Sequence, residues 1–116
     1  MKPMTFVEKV LGAPEGAVVF RKPDLILTHD NTSSIFQTFR KMGGDKVSDP
    51  DQMVVVLDHN APPADAKLAT QYQDIRNIVS AQGIRKFYDS GMGICHQMMS
   101  HHARPGMIIV GSDSHT

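Results

Sequence analysis

The sequence predicts an α/β fold, a mostly parallel sheet with helices on both faces. Three observations predict it. Short apolar runs rich in β-branched residues alternate with longer stretches of helical periodicity, the pattern of βαβ units with right-handed crossovers. The run MVVVL at 53–57 has no polar alternation, as a strand covered on both faces requires. Each apolar run also ends abruptly in polar residues, and open α/β sheets bind their ligands beyond the carboxyl ends of the strands.

The elements follow in order. Thr5 and Glu8 fit a capping box, Phe6, Val7, Val10 and Leu11 make one apolar face, and Gly12 is a natural stop. Residues 13–23, with an apolar patch at 17–20, read as a loop or edge strand. DLILT at 24–28 reads as the first strand. Asn31 or Thr32 then caps a second helix whose Ile35, Phe36, Phe39 and Met42 recur at helical spacing, ended by Gly43-Gly44. A polar connector, 45–52, leads into the second strand at 53–57. The longest helix spans roughly 64–82, with Leu68, Tyr72, Ile75 and Val79 as its core stripe and Gly83 after its end. Residues 84–88 give a third, less buried strand; a turn at 89–93 precedes a short helix from 94. Pro105-Gly106 introduce the run MIIV at 107–110, which has the look of a buried final strand.

With 116 residues the chain holds one domain at most. Its 12 basic and 12 acidic residues cancel, which leaves no field for nucleic acid or an anionic membrane. The N-terminus lacks the apolar core of a signal peptide, and no apolar run approaches a membrane span. A single cysteine, Cys95, excludes an internal disulfide and fits a reducing compartment, so the cytoplasm is expected. A buried, inert thiol is the expectation for Cys95. The eight methionines read as core filler.

Just past the strands lie His29 and Asp30, then Asp58 and His59, then Asp89 and His96, then Asp113, Ser114 and His115. Four of the six histidines take such positions. Any one histidine after a strand is ordinarily a surface or capping residue. Parallel strands, however, open all four loops at one sheet edge, where these groups converge. His101 and His102 fall outside this set. An aspartate beside a histidine suits proton transfer, because the carboxylate fixes the tautomer and raises the basicity of the ring. The same inventory also suits a divalent-metal hydrolase. GSDSH is not a nucleophile elbow, and neither a dinucleotide fingerprint nor a P-loop is present. The residues alone leave the reaction open.

Five segments in order carry a resemblance: MTFVEKVLG, DLILTHDNTSS, VVVLDHNAPP, GICHQ and PGMIIVGSDSHT. Together they resemble the N-terminal part of the aconitase superfamily, in its 3-isopropylmalate dehydratase and homoaconitase-like branch. The resemblance implies a hydro-lyase that removes water from a hydroxy di- or tricarboxylic acid and adds it back with the hydroxyl moved. It implies His59 as the acid that protonates the departing hydroxyl, with Asp58 as its partner. His96 is implied to pair with Asp113, and Asp113, Ser114 and His115 to contact substrate. His29 stands where aconitase proper has a substrate-binding glutamine, which speaks for the dehydratase branch.

In the family a [4Fe–4S] cluster held by three cysteines binds the substrate hydroxyl and carboxylate. Cys95 matches none of these ligands, so no metal ligand is expected in this chain; the cluster cysteines are expected beyond Thr116. A serine base is expected from a small swivelling subunit or domain. The chain therefore reads as a partial α/β domain, 1–116, of a much longer large subunit, inactive alone and without a bound cluster. 3-Isopropylmalate dehydration in leucine biosynthesis is the first expectation, with homoaconitate, 2,3-dimethylmalate or methylmalate as alternative substrates. A non-catalytic α/β module and a divalent-metal hydrolase using the His/Asp cluster are the alternatives from other classes.

Overall fold

Four strands form one fully parallel sheet in the computed structural model, which describes residues 3–60, 62–113 and 116. They are β1 (Leu25–Thr28), β2 (Met53–Val56), β3 (Lys86–Tyr88) and β4 (Ile109–Gly111), in the spatial order β3-β2-β1-β4. The helices are α1 (Phe6–Leu11), α2 (Thr32–Lys41), α3 (Ala66–Gln82) and α4 (Cys95–Met99), and a single 3₁₀ turn, Pro50–Gln52, leads into β2. Helices cover both faces, as the sequence predicts. On one face Phe36 of α2 and Tyr72, Ile75, Ile78 and Val79 of α3 pack on Met53 and Val55 of β2. On the other, Cys95 and Met99 of α4 pack on Leu25, Leu27, Val54 and Val56. Burial on both sides makes β2 apolar at every position, and each such side chain contributes roughly 1.5–3 kcal/mol.

Strand order reverses after β3, where the chain passes β2 and β1 to reach β4. The switch point therefore lies between β1 and β4, and the loops leaving these strands flank the crevice in which such sheets take ligands.

Local signals hold where they are local. Thr5 and Glu8 form the reciprocal capping box of α1, with Gly12 left-handed after it. Asp65 caps α3, and Gly83 closes it at φ 71°. One expectation about burial needs correction. β4 is an edge strand with Val110 48% exposed, because nothing among the described residues covers its outer side. The patch at 17–20 is loop, the first of the two forms read for it, with Val18 and Phe20 in solvent, as are Phe6 and Val7 of α1. Among the described residues no helix is long and apolar enough to cross a membrane.

Candidate active site

The site is built from the turns after β1, β2 and β4 and the start of α4. After β1, Thr32 Oγ1 lies 2.5 Å from the His29 carbonyl and 2.9 Å from Thr28 Oγ1, so it donates to the first and accepts from the second. This ties the turn down with His29 at its apex. Asn31, expected to cap α2, makes no side-chain capping bond. Its Oδ1 accepts from the His29 N–H and from Ser112 Oγ, which joins the β1 turn to the β4 turn.

After β2, Asp58 Oδ1 meets His59 Nδ1 at 2.6 Å, and Asp58 Oδ2 accepts from the Cys95 N–H at 2.6 Å. The other face of the ring meets a second carboxylate: His59 Nε2 lies 3.3 Å from Asp113 Oδ2. His29 stacks on His59, with ring centroids 3.9 Å apart and planes 17° from parallel. His96, at the start of α4, brings a ligand atom within 4.8 Å of Asp113 and of Cys95. Asp58, His59, Ile94, Cys95, His96 and Asp113 line an open depression of about 300 Å³.

Electrostatics separates the two stacked rings. The Asp58 hydrogen bond raises the His59 pKa above its ordinary value against the opposing effect of burial, and the charges of Asp58, Asp30 and Asp113 add to it. Burial lowers the His29 pKa, helped by its charged neighbour His59, so His29 is the neutral ring. Its Nδ1 is buried and has no hydrogen-bond partner among the described residues. Burial by itself would raise Asp58, yet the bonds from Cys95 and His59 prevail and hold its carboxyl below the usual range.

The structure thus brings together His29, Asp58, His59, His96 and Asp113. Ser114 and His115 lie outside the described residues. Asp89 is turned elsewhere, into a two-bond ion pair with Arg76 of α3. His102 stays outside too, hydrogen-bonded to the Tyr88 hydroxyl. Sequence reasoning passed over the linking role of Asn31 and Ser112, and over the bond from the Tyr72 hydroxyl to Asp30 behind the site.

Among the described residues two groups of side chains have metal-ligand chemistry: His29, Asp30, Asp58 and His59, and Cys95, His96 and Asp113. In the first, the Asp30 and Asp58 oxygens already accept protein hydrogen bonds. In the second, burial and the adjacent Asp58 carboxylate push the Cys95 thiol up to about 11, so it stays neutral rather than a thiolate ligand. An iron–sulfur cluster is held by several cysteine thiolates. One buried neutral thiol does not fit that requirement, and these residues do not form a cluster cradle.

A parallel α/β sheet whose turns after β2 and β4 gather a carboxylate–imidazole–carboxylate array offers a candidate site for acid–base chemistry. Residues 5–116 match the aconitase family (aconitate hydratase), and the chain belongs to it. It is 38% identical to the probable 3-isopropylmalate dehydratase large subunit of Methanothermobacter thermautotrophicus, over 97% of this chain and 29% of that protein. It is also 38% identical to the methanogen homoaconitase large subunit of Methanocaldococcus jannaschii, with the same coverage of 97% and 29%. With the mitochondrial homoaconitase of Aspergillus niger it shares 35% identity over 98% of this chain and 16% of that protein. The chain spans less than a third of the length of these curated relatives.

Proposed function

We propose that this chain forms one wall of the active site of a hydro-lyase acting on a hydroxy di- or tricarboxylic acid. 3-Isopropylmalate isomerisation in leucine biosynthesis is the first reading; homoaconitate, 2,3-dimethylmalate and methylmalate are the alternative substrates. A single observation carries this reading: His59 sits between Asp58 and Asp113 with its pKa raised. Hydroxide is a poor leaving group, so elimination needs a proton delivered to the departing oxygen. The bond to Asp58 favours the charged form of His59, which keeps one N–H fixed on that carboxylate. The other, on Nε2, faces the open depression beside Asp113 and is the proton that leaves. Asp58 stabilises the imidazolium before transfer, and Asp113 competes for the Nε2 proton until substrate replaces it.

His29, the neutral ring stacked on this cation, holds the plane of His59, and Ser114 and His115 extend the same wall. His96 holds a polar rim opposite Asp113. Aconitase-family enzymes generally use a [4Fe–4S] cluster, which binds substrate oxygens when present. Its ligands, the base that removes the carbon-bound proton and the small subunit implied by the relatives' large-subunit names come from polypeptide outside this sequence, in a cytoplasmic enzyme.

The test is His59→Ala in the assembled enzyme, with 3-isopropylmalate and the three alternative acids as substrates. Loss of a general acid lowers kcat by about two to four orders of magnitude. Unchanged turnover would remove His59 from this role.

A further inference from the structure

Asp30 takes no part in the proton transfer just described, yet four donors converge on its carboxylate. Oδ1 accepts from the Asp58 N–H at 3.0 Å. Oδ2 accepts from the Asn60 N–H at 2.8 Å, from Asn60 Nδ2 at 3.1 Å and from the Tyr72 hydroxyl at 2.5 Å. Asp30 stands in the turn after β1, Asp58 and Asn60 in the turn after β2, and Tyr72 in the middle of α3. Three elements therefore meet at one carboxylate, whose acceptor capacity they fill.

The donors are not interchangeable with water. Tyr72 is 1% exposed, and its hydroxyl also accepts from the Asn60 N–H at 3.0 Å. A phenol so buried needs a fixed partner. The ladder of β2 ends at Leu57, whose N–H bonds the Tyr88 carbonyl, so the N–H groups of 58 and 60 must find acceptors beyond the sheet. Asp30 holds both, two residues apart. That fixes the backbone of Asp58 from behind and leaves its side chain only the forward direction, toward His59 Nδ1 and the Cys95 N–H.

We infer that Asp30, backed by the Tyr72 hydroxyl, is a positioning residue that clamps the 58–60 turn so that Asp58 meets His59 and the start of α4 at once. The inference rests on the reading of His59 as proton donor and adds the device that aims it. The titratable groups facing His59 are Asp58, Asp113, Asp30 and His29. Asp30 also acts on His59 through its charge, so a test must separate charge from position.

Tyr72→Phe does so, because it removes one hydroxyl and leaves every charge in place. Asp30→Asn removes both charge and clamp. The experiment follows the imidazole nitrogens of His59 by NMR in the ¹⁵N-labelled chain across a pH titration, together with amide exchange. In Tyr72→Phe the Asp58 and Asn60 amides exchange about two- to tenfold faster, the loss of one hydrogen bond. The His59 Nδ1 proton loses the downfield shift of its bond to Asp58, and the His59 midpoint falls toward that of free histidine. Asp30→Asn moves all three readouts further.

Faster exchange with an unchanged His59 signal and midpoint in Tyr72→Phe would mean a merely structural contact and overturn the inference. Should Asp30→Asn fail to fold, Tyr72→Phe decides alone. A wild-type His59 that titrates like free histidine would instead sink the proton-donor reading. In the assembled enzyme Tyr72→Phe lowers kcat, leaves KM unchanged and moves the basic limb of the pH profile to lower pH; a change confined to KM would also count against positioning.

Discussion

Asp58→Asn keeps the side chain's shape and removes its charge at the centre of the site. The Asp58 side chain is 7% exposed, and its two oxygens each make a 2.6 Å bond, to His59 Nδ1 and to the Cys95 N–H. An amide can serve both partners in one way only. Its oxygen must accept from Cys95, so its NH₂ faces His59 Nδ1, which must then carry no proton. The variant therefore forces a neutral imidazole with hydrogen on Nε2. Two charge-assisted bonds become neutral ones, a difference of about 1–2 kcal/mol. The His59 side chain is 42% exposed, and solvent screening brings the net loss nearer to about 1 kcal/mol.

The pH dependence has a definite sign. The folded pKa of His59 is raised, so its contribution is fully present below the ordinary value of 6.5 and is lost as pH rises through the folded value. The folded pKa of Asp58 is lowered, so its contribution is present above 3.8 and is lost as pH falls through the depressed value. The gap in stability between wild type and Asp58→Asn is thus widest in the window between those two ordinary values and narrows on the alkaline side. Urea unfolding of both proteins in weak acid and at alkaline pH measures it. Equal gaps at the two conditions would refute the claim that a charged Asp58–His59 pair exists in the folded chain.

Ile75 is fully buried between α3 and the sheet, and Ile75→Ala should cost about 2–5 kcal/mol in the same urea assay; a loss under 1 kcal/mol would mean the site collapses freely around the gap. Cys95, 1% exposed with its thiol pushed up to about 11, should react with an alkylating reagent at neutral pH at least about 100-fold more slowly than a free cysteine, and normally once unfolded in urea. A folded-state rate within tenfold of free cysteine would contradict its burial against β1 and β2.

What the sequence made legible was whatever is encoded locally. The capping box at Thr5 and Glu8, the left-handed glycine after α3 and the unbroken apolar run of β2 each depend on neighbours a few residues away. So did the Asp/His pairs, once parallel strands placed their loops at one sheet edge. Burial was harder, because it depends on what arrives to cover a surface. The apolar residues of α1 and β4 have the composition of core, yet Phe6 and Val110 are open. The polar tips of core residues were hardest. Tyr72 fits the α3 stripe by its ring, while its hydroxyl serves Asp30, 42 residues earlier. Periodicity records the ring's side of the helix and says nothing of the hydroxyl. Asn31 likewise has the residue type of a helix cap and bonds Ser112 across the switch point instead.

The stacked rings of His29 and His59 limit how many protons this wall can store. Two imidazolium ions 3.9 Å apart would repel by up to about 4 kcal/mol at an effective dielectric near 20, and by less where His59 meets water. The stack accordingly titrates as a unit that accepts one proton readily and resists a second. Acidification does not arm the site further: the next proton has to enter the half-buried ring of His29 against the charge already on His59.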